Sequence, residues 1–310
     1  LSSKEISNMF IIEPKTLKKC GNPTITAKVN KITGNPDDWF CTKHLMDLNL
    51  KRINFDFFVN WETLELERDI WFKRTVDVDI SSLSYEEVLE ALIKSESNGY
   101  FLDILRFCHK YKLRANFVIF NDANWSEVKK VIYMSVESYN VTDDGFWMSF
   151  EKIETSKLRD IIAKKTGKRF KMSKELFYGT SLLECYLSKT DTPYPGDVDS
   201  IILDENYNVI SVLEFKKHNM DTPIGQQQLY NYYPSKDKLK YDRLCMLTSY
   251  LQSKLITIYY TTDQRNESKV ELNFSHGSKL GSYSSDILST PSNINNKEDI
   301  INYITSVLTL

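Results

Sequence analysis

The chain has 310 residues, a formal net charge of −2, 41% apolar residues and 26% charged residues. This is the balance of a globular chain that buries one large core or two ordinary ones. It excludes a protein that coats nucleic acid through bulk positive charge, although a local basic face remains compatible with it. No apolar run reaches the roughly 18 residues of a membrane span. The opening LSSKEISNMF lacks a basic region followed by an apolar stretch, so no secretory signal is expected.

Five cysteines (Cys20, Cys41, Cys108, Cys185 and Cys245) are scattered without a CxxC pair. Only Cys41 and His44 approach ligand spacing, with no second half to complete a zinc site. A reduced, cytoplasmic compartment is the expectation. No internal repeat and no long low-complexity segment is visible.

In chain order, 54–61 is apolar and aromatic-rich and predicts a strand. Residues 85–94 follow a Ser-rich capping region and predict a helix. Residues 100–112 carry apolar side chains at helical spacing, and 115–120 predict a strand. Short elements are expected at 125–135 and 147–150. Helices are predicted at 156–165 and 173–188, the second with Leu176, Phe177, Leu183 and Leu187 on one face. Between them runs KKTGKRFKMSK (164–174), which has basic residues and no acid. A Pro/Gly turn at 192–197 leads into a strand at 198–203, a polar turn at 204–208 and an apolar strand at 209–215, which together read as a hairpin. A helix at 224–233 and strands at 243–248 and 255–260 follow. The polar tract 275–300 predicts a loop-rich excursion before a final helix at 297–309.

Alternation on the hairpin decides which side chains share a face. Val212, Glu214 and Lys216 point one way, Leu213 and Phe215 the other. A carboxylate and an ammonium at the end of a buried strand need compensation, because unpaired charges are costly away from water. With Asp199 on the facing strand, two carboxylates lie roughly 5 Å apart and repel by about 3 kcal/mol at an effective dielectric of about 20. A divalent cation turns that repulsion into attraction. Oxygen ligands without thiolate or imidazole favour Mg²⁺, or Mn²⁺, over zinc. Such an ion suits phosphodiester hydrolysis, with Lys216 orienting or helping to deprotonate a water. Asp197 is the alternative to Asp199, and a surface salt-bridged hairpin is the non-functional alternative for the whole set.

The text PGDVDSIILDENYNVISVLEFKK (195–217) resembles the PD-(D/E)XK nuclease superfamily. It has G-x-x-D ending at Asp199, a hairpin turn, then an apolar strand carrying E-x-K as Glu214, Phe215 and Lys216. Upstream, Glu184 occupies a place where such nucleases carry an acidic metal ligand. Downstream, GQQQLYNYY (225–233) resembles the Q-x-x-x-Y helix of the RecB-like branch. Gln228 with Tyr232 and Gln226 with Tyr230 both fit that spacing, and Leu229 favours the first pair.

The resemblance covers about 173–250 and leaves 1–154 unassigned. It implies an α/β, restriction-endonuclease-like core at 155–310, a mixed sheet flanked by helices with the site at one sheet edge. An N-terminal α/β domain at 1–154 would serve recognition, regulation or oligomerisation. The implied catalytic set is Asp199, Glu214, Lys216 and Gln228, with Asp199, Glu214, Phe215 and Glu184 at the metal. Lys164, Lys165, Lys168, Arg169, Lys171, Lys174 and Tyr232 would contact nucleic acid, the basic residues setting affinity rather than sequence choice. The implied activity is a Mg²⁺-dependent DNA endonuclease of restriction, defence or mobile-element type, acting on double-stranded DNA as a homodimer and without a membrane. A catalytically degenerate nucleic-acid-binding or scaffold protein, and an RNA-directed nuclease, are the alternatives.

Overall fold

The structure is a computed structural model that describes residues 11–21, 32–96, 99–138, 146–172, 175–218, 222–261, 265–277 and 279–310. In chain order the strands are β1 (Lys18–Lys19), β2 (Lys51–Asn60), β3 (Glu65–Thr75), β4 (Arg114–Phe120), β5 (Lys130–Ser138), β6 (Phe146–Glu154), β7 (Tyr178–Gly179), β8 (Gly196–Leu203), β9 (Val209–Lys217), β10 (Lys254–Tyr260), β11 (Glu267–His276) and β12 (Lys279–Ser289). The helices are α1 (Pro36–Trp39), α2 (Thr42–Met46), α3 (Tyr85–Ser95), α4 (Tyr100–Lys110), α5 (Thr155–Thr166), α6 (Leu182–Ser188), α7 (Lys238–Tyr250) and α8 (Lys297–Leu308). This is a mixed α/β architecture of mostly antiparallel strands with flanking helices.

The chain divides into two compact units. Unit 1 comprises 1–24 and 55–196, and unit 2 comprises 25–54 and 197–310. The expected boundary at 154/155 has no counterpart in this division, because the apolar faces of α5 and α6 are buried in unit 1. Leu158, Ile162, Leu183 and Leu187 pack with Phe58, Trp71, Val118, Phe120 and Val131.

In unit 1 the strand order is β2-β3-β4-β5-β6, with β3 and β4 parallel and the other pairs antiparallel. Ser84 and Glu87 form a reciprocal capping box that starts α3, which satisfies backbone N–H groups that the helix leaves orphaned. Gly167, at φ 74°, closes α5 in the left-handed conformation that glycine adopts without penalty. Cys20 and Cys185 form a disulfide in this unit. The pairing removes the cysteine argument for a reduced compartment, since such bonds persist mainly in oxidising ones.

In unit 2 the order is β8-β9-β10-β11-β12, with β9 and β10 parallel and the other pairs antiparallel. The core beneath joins Trp39, Phe40 and Leu45 from α1 and α2 to Ile202, Leu213, Ile256 and Ile258 from the sheet. Ile300, Tyr303, Ile304 and Val307 from α8 complete it. Those four α8 residues recur at helical spacing, the pattern that predicts this helix from sequence. Although no repeat is visible in the sequence, both units run hairpin, helical connection (α3 and α4 in unit 1, α7 in unit 2), parallel strand, two antiparallel strands, helix.

Several predicted elements differ. Residues 243–248 belong to α7 rather than a strand. Tyr241, Leu244, Cys245 and Thr248 are buried at helical spacing, a period that a short apolar run cannot display by itself. The helix expected at 224–233 is two short 3₁₀ turns, Ile224–Gln226 and Leu229–Asn231, set between Pro223 and Pro234. The helix expected at 173–188 begins only at Leu182, where the Ser181 hydroxyl accepts from the Glu184 N–H; 173–174 lie outside the described residues. The polar tract after 275 contains β12, whose many exposed positions hide its pairing with β11. Strand β3, with charged runs at 67–69 and 73–74 on either side of Ile70, Trp71 and Phe72, escapes the sequence pattern as well. Among the described residues no helix is long and apolar enough to cross a membrane.

Candidate active site

Strands β8, β9 and β10 position the charged residues of unit 2. Ser200 faces Leu213 in the β8–β9 register, which places Asp199 opposite Glu214. Asp199 is partly buried, and its Oδ2 accepts a hydrogen bond from the Phe215 backbone N–H at 2.5 Å. Arg52 donates to the Asp199 carbonyl at 3.0 Å and pairs with Asp37 at 2.6 Å. The hairpin end is thereby fixed from both backbone directions.

Glu214 is fully buried at 0% exposure, and neither carboxylate oxygen accepts a hydrogen bond among the described residues. What meets it is charge. The Lys240 ammonium, reaching in from α7, lies 2.7 Å from Glu214 Oε1, an ion pair whose angles fall short of a hydrogen bond. Burial opposes the charge on Lys240, yet Glu214, Asp199 and Asp197 outweigh it and hold the ammonium well above the ordinary lysine range. Burial first, then the Glu214 charge, push the Asp199 carboxyl well above the usual aspartate range, while Lys240 and the Phe215 N–H oppose them. Asp197, the alternative to Asp199, is exposed.

Lys216 lies two residues beyond Glu214 on the same face, as alternation requires. Its ammonium pairs with Asp237 at 2.6 Å and sits 4.2 Å above the Tyr232 ring and 5.3 Å from that of Tyr241. The same face continues into β10 and β11, where Thr257 pairs in register with both Glu214 and Glu271. Glu271 is buried and accepts hydrogen bonds from the Leu229 N–H and the Tyr259 hydroxyl.

The structure thus brings together Asp199, Glu214 and the Phe215 backbone. Glu184 belongs to unit 1, where it accepts from Thr180 and lies 3.7 Å from Lys73. Gln228 is exposed, and the Tyr232 hydroxyl donates to Gln227 at 2.8 Å. The partner of Tyr232 is therefore neither of the two glutamines that the Q-x-x-x-Y spacing offers. In the basic stretch Lys164, Lys168 and Lys171 are exposed, Lys165 pairs with Asp69, and Arg169 pairs with Asp160 and Asp191. Lys174 lies outside the described residues.

Lys240, Asp237, Glu271 and Gln227 escape the sequence pattern. Nothing local marks Lys240 among the lysines of 236–240, since its role follows from a helix where the pattern reads otherwise.

A fully buried carboxylate that accepts no hydrogen bond among the described residues, with a partly buried one opposite, has the donor chemistry of a hard-cation site. Among the described residues, however, no group of three or more His, Cys, Asp or Glu side chains gathers around one point. The fit is to Asp199 and Glu214 with a backbone carbonyl, and one lysine already sits beside them.

No family model and no curated protein matches the chain. A solved structure described as the sex pheromone staph-cAM373 precursor is similar at 11% identity, covering 90% of this chain and 86% of that one. Its TM-score is 0.20, a likeness too low to carry any argument.

Proposed function

We propose that this chain is a metal-dependent nuclease on a restriction-endonuclease-like core, cutting DNA endonucleolytically, with Asp199 and Glu214 holding Mg²⁺ or Mn²⁺. The observation that carries the reading is Glu214, a fully buried carboxylate that accepts no hydrogen bond among the described residues, set opposite a second carboxylate whose pKa is raised by burial and by the Glu214 charge. A bound cation would relieve that arrangement and supply, when present, a Lewis acid and an activated water for phosphodiester hydrolysis. Asp199 and Glu214 bind and orient. Lys216, steadied by Asp237 and Tyr232, presents an ammonium on the Glu214 face to position a water or a phosphate oxygen. Gln228 and Tyr232 would border the approaching strand, and Lys164, Lys168 and Lys171 would contact phosphates. Double-stranded DNA as substrate, a homodimer, a cytoplasmic setting and a role in restriction or defence belong to this reading by analogy. Glu184, drawn to Lys73 and Thr180, is left out of the ligand set.

A second reading has its own observation. Lys240 lies on Glu214, and Lys216 pairs with Asp237, so the charges are already partly matched, as in a non-catalytic nucleic-acid-binding protein on the same fold. Plasmid nicking in Mg²⁺ and in EDTA, with wild type, Glu214→Ala and Lys216→Ala, separates the two. Nicking that needs Mg²⁺ and is lost in both variants upholds the nuclease. Equal behaviour of all three proteins, with DNA binding intact, assigns the binding role.

A further inference from the structure

Unit 1 repeats the topology of unit 2 strand for strand, and the match extends to side chains. Asp56 faces Trp71 in the β2–β3 register, as Asp199 faces Glu214 in β8–β9. Two residues further, Lys73 takes the place of Lys216, and Phe72 that of Phe215. Lys73 follows Asp56 at the same sequence separation as Lys216 follows Asp199. The third strand also agrees: Trp71 pairs with Asn116 in β4, and Glu214 with Thr257 in β10, both partners buried and polar.

The difference lies in how charge is balanced. Where unit 2 carries Glu214, unit 1 carries the fully buried indole of Trp71, packed into the apolar core. The lysine two residues on is correspondingly drawn inward. Lys73 lies 3.3 Å from Asp56 and 3.7 Å from Glu184, and donates to the Thr180 hydroxyl at 3.0 Å. Thr180 in turn holds Glu184 through its N–H at 2.8 Å and its hydroxyl at 3.0 Å. A second observation points into this cluster. Among the described residues the buried Tyr194 hydroxyl makes no hydrogen bond of full geometry, although it lies close to Asp56, and the Lys73 ammonium lies 4.8 Å from its ring. Burial, with the charges of Asp56 and Glu184 behind it, keeps that hydroxyl protonated far above its usual range.

We infer that the chain is an internal duplication with one open centre and one closed copy. The closed copy is Asp56, Lys73 and Glu184 in unit 1, a divalent-cation site whose ion is replaced by the Lys73 ammonium. The inference rests on the proposed function only for the choice of a divalent cation as ligand. An ammonium and a metal ion compete for the same carboxylate oxygens, so removing the lysine charge leaves the two acidic groups and the threonine without that cation. One chain then holds one ion and one working centre.

The test counts Mn²⁺ bound per full-length chain by titration calorimetry. Wild type and Asp56→Asn are expected to bind one ion each. Lys73→Met should bind two, and Lys73→Met combined with Asp56→Asn should return to one. A Lys73→Met count that stays at the wild-type value overturns the inference, and so does a wild-type ion lost in Asp56→Asn. Should Lys73→Met unfold in chelator, its melting temperature in Mn²⁺ replaces the count. Recovery that the added Asp56→Asn abolishes supports the closed copy, and no recovery overturns it. A wild type that binds no Mn²⁺ defeats the proposed function, while a gained ion in Lys73→Met would still establish the closed site.

Discussion

Replacing Lys240 by methionine keeps an unbranched apolar side chain and removes the positive charge that lies 2.7 Å from Glu214. At 2.7 Å and an effective dielectric of about 20, the attraction to Glu214 amounts to about 6 kcal/mol. Much of that is offset by the cost of desolvating the ammonium. The side chain also keeps 38% exposure, so solvent screens the pair further. A net loss of about 1–2 kcal/mol is expected in EDTA. For a chain of this size that lowers the melting temperature by about 1.5–3 °C.

The ion reverses the effect. With the lysine gone, Asp199 and Glu214 offer a cation more negative charge and less competition. If Mn²⁺ affinity rises about tenfold, the added stabilisation at saturating metal is about 1.4 kcal/mol, which cancels most of the loss. Differential scanning fluorimetry in EDTA and across a Mn²⁺ series measures both halves. Adding Glu214→Gln to Lys240→Met should remove the metal response. A Lys240→Met chain as stable as wild type in EDTA, and no more responsive to Mn²⁺, would show that the lysine neither compensates the carboxylates nor competes for them.

Asp199 has a pH signature. Its folded-state carboxyl titrates well above the unfolded value of about 4, so its contribution to stability is fully present below about pH 4 and is lost as pH rises through the folded value. In EDTA, Asp199→Asn should therefore gain on wild type in melting temperature from pH 4 towards pH 8, and a constant difference across that range would refute the coupling. Lys216→Ala should reduce Mg²⁺-dependent nicking by at least about 100-fold, the lower end of a positioned acid–base group, with the far-ultraviolet circular dichroism unchanged. Replacing Lys164, Lys168 and Lys171 together by alanine should weaken DNA binding and reduce the slope of log K against log salt by about 3. An unchanged slope would remove this stretch from the interface.

The hairpin of β8 and β9 is legible in the sequence because two apolar strands flank the turn DENYN, and alternation alone places Glu214 and Lys216 on one face. Helices α3, α4, α5 and α8 are legible for the same kind of reason, each carrying a cap or a 3.6-residue apolar stripe. Helix α7 is not. Its residues LKYDRLCMLTSY bury several sides at once, so the helical period is masked and the apolar half reads as a strand. That single reversal hides Lys240, whose ammonium reaches Glu214 only because the helix carries it there. The Gln-rich segment fails differently. Proline at both ends holds it to two short turns, so a spacing argument built on a helix selects Gln228 or Gln226, whereas Gln227 meets Tyr232.

The duplication is hidden for a related physical reason. Topology is conserved by apolar burial, which many residues satisfy, whereas the charged centres have diverged. Trp71 and Glu214 share a register position and have opposite solvation demands: an indole there is stabilised by burial, and a carboxylate is destabilised by it. The two units therefore solve one problem, an aspartate at the end of a buried hairpin, in two ways. Unit 1 lets Lys73 fold inward onto Asp56. In unit 2 the equivalent Lys216 is drawn instead to Asp237 and the Tyr232 face, which leaves the carboxylates to a lysine from a helix that is still 38% exposed. A counter-ion at 38% exposure can be displaced by a divalent cation more readily than a lysine anchored at 12% exposure among Asp56, Thr180 and Glu184. That asymmetry, rather than the number of acidic groups, is what makes unit 2 the better candidate for chemistry.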